Sequence, residues 1–206
     1  MPPGPEYVGS TPGRDRKLEA PSLERLDASS VVSRMDVSTG MKYLDKNKFV
    51  QIRTETFQVR TPFPWVNPQN LITDSGYKRL VHNLPEPKLF TESFGKPRAH
   101  GQNSHDRLTL EYHDELQIAQ PWKDFIAELK GLDYMNLLRR LIGTESFTLN
   151  FHWHYTPRGC AISAHCDAQH KLASHIFYLN TEQDWDTTWG GQTLLLDDKG
   201  KFPRES

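Results

Sequence analysis

Two cysteines, Cys160 and Cys166, are all that the 206 residues contain. One pair is too few for a disulfide framework, so a packed core has to hold the fold, and a reducing compartment such as the cytoplasm is the expected setting. No apolar run approaches the ~20 residues of a membrane-spanning helix. The N-terminal stretch MPPGPEYVGS lacks the apolar centre of a secretory signal. Neither sign of charge is in excess, since 25 Lys and Arg stand against 26 Asp and Glu. Without a Lys/Arg run there is no footprint for nucleic acid or for an anionic lipid surface. A soluble protein without nucleic-acid or membrane partners is expected.

Hydrophobic residues make up 36% of the chain, and counting glycine brings this to about 42%, slightly under the ~45–50% of globular domains. The shortfall sits at the N-terminus. Residues 1–30 are rich in Pro, Gly, Ser and charge, and their few larger apolar side chains cannot offset the entropy lost on ordering the segment. A disordered tail over 1–32 is expected unless it docks, followed by one domain over 33–206.

Within that domain KFVQIRTETFQVR (48–60) alternates Val50/Ile52 and Phe57/Val59 against polar neighbours and reads as a strand or hairpin. The prolines of TPFPWVNP (61–68) make it extended and turn-forming. A helix is expected from Thr73 as N-cap, with Tyr77, Leu80, Val81 and Leu84 inward, stopping before Pro85. FGKPRAHGQNSHDR (94–107) has no period and reads as a long loop. Trp122, Phe125, Ile126 and Leu129 make one helical stripe, Tyr134, Leu137, Leu138 and Leu141 a second, with Gly131 and Gly143 as punctuation. After Gly143 the period becomes two. In FTLNFHWHY (147–155) Phe147, Leu149, Phe151, Trp153 and Tyr155 share one face, while His152 and His154 lie on the other. SHIFYLN (174–180) and QTLLLDD (192–198) read as further strands, joined by the turn-rich stretch 180–191. Helices first and strands after give an α+β class.

The chemistry concentrates in AHCDAQHKLASHIFYLN (164–180). On an extended backbone His165 and Asp167 point to one face, about 6–7 Å apart at Cα. An imidazole and a carboxylate so placed can grip one metal ion, and two histidines plus one carboxylate make the open-sided site of non-haem iron(II) oxygenases. Alone, His-x-Asp reads more readily as a surface polar pair. What surrounds it is more specific. Tyr155 stands ten residues ahead, and His165-Cys166-Asp167 is followed by Tyr178-Leu179-Asn180, Asp184-Trp185 and Gly190-Gly191 leading into QTLLLD.

Over residues 151–197 this order resembles the iron(II)- and 2-oxoglutarate-dependent oxygenases, most closely their prolyl-hydroxylase-like branch; residues 61–150 match only loosely, as a helical support. The resemblance implies a double-stranded β-helix (jelly-roll) core and a dioxygenase that hydroxylates an unactivated C–H bond of a small molecule or a protein side chain. It implies iron(II) held by His165 and Asp167, with 2-oxoglutarate as cosubstrate and ascorbate as an accessory reductant. It makes Tyr178 the partner of the distal 2-oxoglutarate carboxylate and Tyr155 a second tyrosine of the cosubstrate pocket. Gly190 and Gly191 would form the turn into the next strand.

The resemblance also requires a later histidine as third ligand, then an arginine for the cosubstrate carboxylate. Neither finds its expected place before Ser206, and His170 and His175 follow Asp167 too closely to substitute. The expectation is a barrel incomplete at its C-terminal side, inactive in this form, with an apolar face at Leu194 and Leu196 left open. Two other classes compete. One is a β-helix binding domain without activity. The other is a structural zinc site from Cys160, His165, Cys166 and His170, disfavoured because adjacent His165 and Cys166 point to opposite faces of a strand. Arg98, His100, His105 and Arg107 could line a substrate entrance, although a solvated polar loop is the plainer reading.

Overall fold

Trp122, Phe125, Ile126 and Leu129 are all buried along α4 (Gln120–Leu129), and Tyr134, Leu137 and Leu141 along α5 (Leu132–Ile142). Gly131 caps α5 at its start. Gly143 ends it in the left-handed region at φ 76°, where a side chain would be strained. The protein is seen here as a computed structural model that describes residues 41–96, 104–160, 162–165, 167, 168, 170–181, 183 and 185–197. All belong to one unit, Thr39–Ser206; the expected tail, 1–32, lies outside the described residues.

Around α4 and α5 the chain forms α1 (Lys46–Gln51), α2 (Thr54–Gln58), α3 (Asp74–His82), β1 (Thr91–Ser93), β2 (Arg107–Glu111) and β3 (His152–Tyr155). The strands make one antiparallel sheet in the order β1-β2-β3. The protein is thus a mixed helix-and-sheet fold, with two of its strands ahead of α4 rather than after all the helices. Leu110 and Trp153 pair across β2 and β3 and join the same core as the α4 and α5 stripes. From Phe147 to Tyr155 partly or fully buried residues alternate with exposed ones, as the period of two anticipates, although ladder pairing is confined to β3.

The expected strand over 48–60 is wrong: this stretch forms α1 and α2. The apparent alternation is not a burial pattern, since Val50 and Val59 are 79% and 76% exposed while Phe49 and Ile52, three apart, are buried. Asp45 starts α1 by accepting from the Asn47 amide at 2.9 Å. Its end is closed from a distance: Arg140 of α5 donates to the carbonyls of Phe49 (2.9 Å) and Ile52 (2.7 Å). A guanidinium on the carbonyls at a helix end adds a charged donor there and complements the helix dipole.

Ahead of α1, Glu128 of α4 accepts from three successive backbone amides, Lys42 at 2.8 Å, Tyr43 at 3.1 Å and Leu44 at 2.7 Å. Helix α3 begins at Thr73 as expected, the Thr73 hydroxyl accepting from the Gly76 amide at 3.1 Å. Gly76 is there for contact: a Cβ would stand 2.7 Å from Tyr43 Cα and 2.9 Å from the Tyr43 carbonyl oxygen. Both are backbone atoms that cannot swing aside. Gly76→Ala should therefore destabilise the fold by about 2–3 kcal/mol through overpacking, read as a lower urea midpoint; an unchanged midpoint would disprove the close approach.

The described parts of 174–180 and 192–198 carry no strand pairing; Asp198 lies outside the described residues. Residues 176–180 nevertheless keep an alternating pattern. Phe177 meets Phe125 edge to face at 5.4 Å, the Tyr77 hydroxyl donates to the Leu179 carbonyl at 2.6 Å, and the His175 ring stacks beside Tyr134. Ile176 and Tyr178 face outward. Leu194 is 57% exposed, as an open apolar face anticipates, while Leu196 is half-buried.

Candidate metal centre

Pairing of β2 with β3 sets Thr109 opposite His154 and Glu111 opposite His152 on one face, with Leu108/Tyr155 and Leu110/Trp153 on the other. Beyond β3 the chain turns at Gly159, φ 83°, and delivers Ser163, His165 and Asp167. His165 Nδ1 lies 2.7 Å from the Ser163 carbonyl oxygen. A carbonyl can only accept, so Nδ1 carries the proton, and in the neutral ring Nε2 holds the lone pair. That Nε2 stands 4.0 Å from Asp167 Oδ1. The two side chains predicted to share a cation therefore converge.

Asp167 is prepared as an anion. Its Oδ2 accepts from the Ser174 hydroxyl at 2.6 Å and its Oδ1 from Lys171 Nζ at 3.3 Å. The Ser174 bond first, then the Lys171 bond and charge and the His165 ring, hold its carboxyl below the usual range. Lys171 also contributes positive charge near His154, whose pKa falls to about 4 through burial first, then Arg107, His152 and Lys171.

A further histidine belongs to this cluster and was not singled out as a site residue by the sequence. His105 is only 4% exposed, although its neighbourhood reads as a polar loop. Its Nε2 is hydrogen bonded to Ser163 Oγ at 3.1 Å, and its ring centroid lies 4.5 Å from that of His165. The single legible signal was its place in the candidate entrance set; of the others, Arg98 and His100 lie outside the described residues and Arg107 opens β2.

The two tyrosines make contacts of their own. Tyr155 stacks on Phe90 at 4.6 Å, and its hydroxyl lies 3.4 Å from the Pro85 carbonyl, with burial raising its pKa. Tyr178 is 51% exposed; its hydroxyl accepts from the Thr193 amide at 3.0 Å and bonds the Thr193 hydroxyl. Gly190 and Gly191 both take positive φ, 80° and 87°, as the expected turn requires. Of the zinc set, Cys160 is half-buried and His170 exposed, while Cys166 lies outside the described residues. Among the described residues no three His, Cys, Asp or Glu side chains form one metal-binding group, and no helix is long and apolar enough to cross a membrane.

No family model, curated protein or solved structure matches this chain. What can be said of the centre rests on its own geometry.

His175 offers a pH test. Its Nδ1 is 2.5 Å from the Tyr134 hydroxyl, its ring 4.0 Å from that of Phe177, and burial lowers its pKa to about 4 while raising that of Tyr134. His175 and His154 both titrate below the ~6.5 of a free histidine, so between pH 6.5 and 4 the unfolded chain binds more protons. Stability from both is complete above pH 6.5 and falls as pH drops toward 4. A shift of that size is worth ~3 kcal/mol, and because both residues keep exposed surface, screening reduces it to about 1 kcal/mol each. Urea unfolding at pH 7 and pH 4.5 should show the loss, and His175→Gln should flatten it. Equal pH dependence in the variant would rule the assignment out.

Proposed function

We propose that the protein, in its full-length form, is an iron(II)- and 2-oxoglutarate-dependent dioxygenase of the prolyl-hydroxylase-like kind, with a double-stranded β-helix core, acting in the cytoplasm on an unactivated C–H bond. The observation that carries the reading is the pairing of a lone-pair-bearing His165 Nε2 with an anionic Asp167 oxygen across 4.0 Å. Bonds of roughly 2.0–2.2 Å from a cation to each atom span at most about 4.4 Å, so one ion reaches both; adjacent positions on an octahedron would close the gap to about 3 Å. The donor set, one imidazole nitrogen and one carboxylate oxygen, suits iron(II).

His165 and Asp167 would hold the metal, which when bound with 2-oxoglutarate supplies the oxidising chemistry that side chains lack. The Ser163 carbonyl keeps the His165 proton on Nδ1, and Ser174 keeps Asp167 ionised and oriented, the role outer hydrogen bonds play around metal ligands. On this reading Tyr178 and Tyr155 would serve the cosubstrate, ascorbate would be an accessory reductant, and the substrate would be a small molecule or a protein side chain. The test is succinate formation from 2-oxoglutarate by the whole protein loaded with iron(II). Absence of turnover in a folded, iron-loaded sample would rule the reading out.

One observation favours a second reading, a binding domain without turnover. Lys171 Nζ already lies 3.3 Å from Asp167 Oδ1, so an internal ammonium occupies a position where a cation would sit. A domain of that kind would fail to bind iron(II) and 2-oxoglutarate together, which calorimetric titration of each in the presence of the other reads directly.

A further inference from the structure

We infer that His105 is a positioning residue for the candidate centre, acting through Ser163 to fix the ring orientation and tautomer of His165. The inference rests on the proposed ligand role of His165.

Among the described residues His105 is the one buried polar or charged residue outside the hydrophobic core. An imbedded imidazole without a partner is costly, so its hydrogen bonds say what holds it there. Its Nε2 bonds the Ser163 hydroxyl at 3.1 Å, and the Ser163 carbonyl takes the His165 Nδ1 proton at 2.7 Å. The two rings also lie directly against each other, 4.5 Å between centroids and tilted by 53°. Ser163 is therefore gripped on its side chain by one histidine and on its backbone by the other. Displacing the hydroxyl moves the carbonyl, and the carbonyl decides which nitrogen of His165 carries the proton.

His105 can serve as a reference point because its own surroundings are tied down. Asp106 accepts from the Gly95 amide at 2.8 Å and from the Ser104 hydroxyl, and the next residue, Arg107, enters the sheet opposite Ser93. The base of the relay is thus His105, just ahead of β2 and 58 residues away in sequence from Ser163. A histidine that merely filled space would need neither the hydroxyl nor the ring contact.

The experiment is 15N NMR of the His165 ring in the metal-free whole protein, with manganese(II) titration as a second readout. Wild type should show the Nδ1–H tautomer. His105→Ala and Ser163→Ala should each release His165 to a mixture of tautomers, and the double variant should go no further, because both act on one relay. His105→Gln, whose amide can reach the same hydroxyl, should restore the Nδ1–H form. Manganese(II) affinity should fall about tenfold in His105→Ala, the effect of losing an outer-shell partner. If His105→Ala does not fold, Ser163→Ala decides the matter alone. A pure Nδ1–H tautomer in the variants overturns the inference, because then the carbonyl needs no help from His105. Failure of the wild type to bind manganese(II) counts against the dioxygenase reading instead, and leaves the tautomer result to judge the relay.

Discussion

Replacing Glu128 with alanine is expected to destabilise the protein by about 3–4 kcal/mol, because two partly buried amides lose a charged acceptor and have no other among the described residues. The carboxylate spans Lys42, Tyr43 and Leu44; the Lys42 amide is exposed and can turn to water, but Tyr43 and Leu44 are each only 1% exposed. Charge-assisted bonds of this sort are roughly twice as strong as neutral ones. Against a total stability of ~5–15 kcal/mol this is a large fraction. Glu128→Gln keeps one acceptor oxygen and should lose about half as much. Chemical denaturation measures both, and a loss below about 1 kcal/mol for the alanine variant would mean that the amides are satisfied in another way.

The second large effect concerns the centre itself. Asp167→Asn preserves shape and the reach to Ser174 but removes the charge, and His165→Ala removes the lone pair. In the full-length protein each should reduce iron(II)-dependent consumption of 2-oxoglutarate by more than about a hundredfold, beyond the 10–100-fold typical of residues that only orient a ligand. Far-ultraviolet circular dichroism should be unchanged, since both side chains are partly exposed, 30% and 41%, and outside the core. Full activity in both variants would leave the convergence of His165 and Asp167 as an ordinary surface pair.

Much of the helical part was legible in sequence. The stripes of α4 and α5, the Thr73 cap and the glycines at 131 and 143 are local signals, and local signals decided those elements. The strand expected over 48–60 was lost to a distant cause, because Arg140, almost ninety residues on, closes α1 at a place where the chain's own pattern reads as alternation. For 174–180 the period was right and the pairing was not. Side-chain alternation reports which residues point inward, whereas a strand needs a neighbouring backbone, and the inward residues here meet helices. At the centre, the i, i+2 spacing suggested a shared face, and His165 Nε2 and Asp167 Oδ1 lie 4.0 Å apart. His105 escaped notice as a site residue because burial of a loop residue depends on what folds over it, which composition does not carry. The reach of Tyr155 toward Phe90 and of Tyr178 toward Thr193 was hidden for the same reason.

Glu128 and Arg140 also act together on a single stretch of backbone. One collects N–H groups just before α1 and the other collects carbonyl groups at its end. Since a peptide chain presents donors and acceptors in a fixed sense, a segment laid down backwards would offer oxygen to the carboxylate and hydrogen to the guanidinium. The charges on the helix pair therefore select polarity and alignment as well as adding strength, so that 42–52 can dock in one direction only.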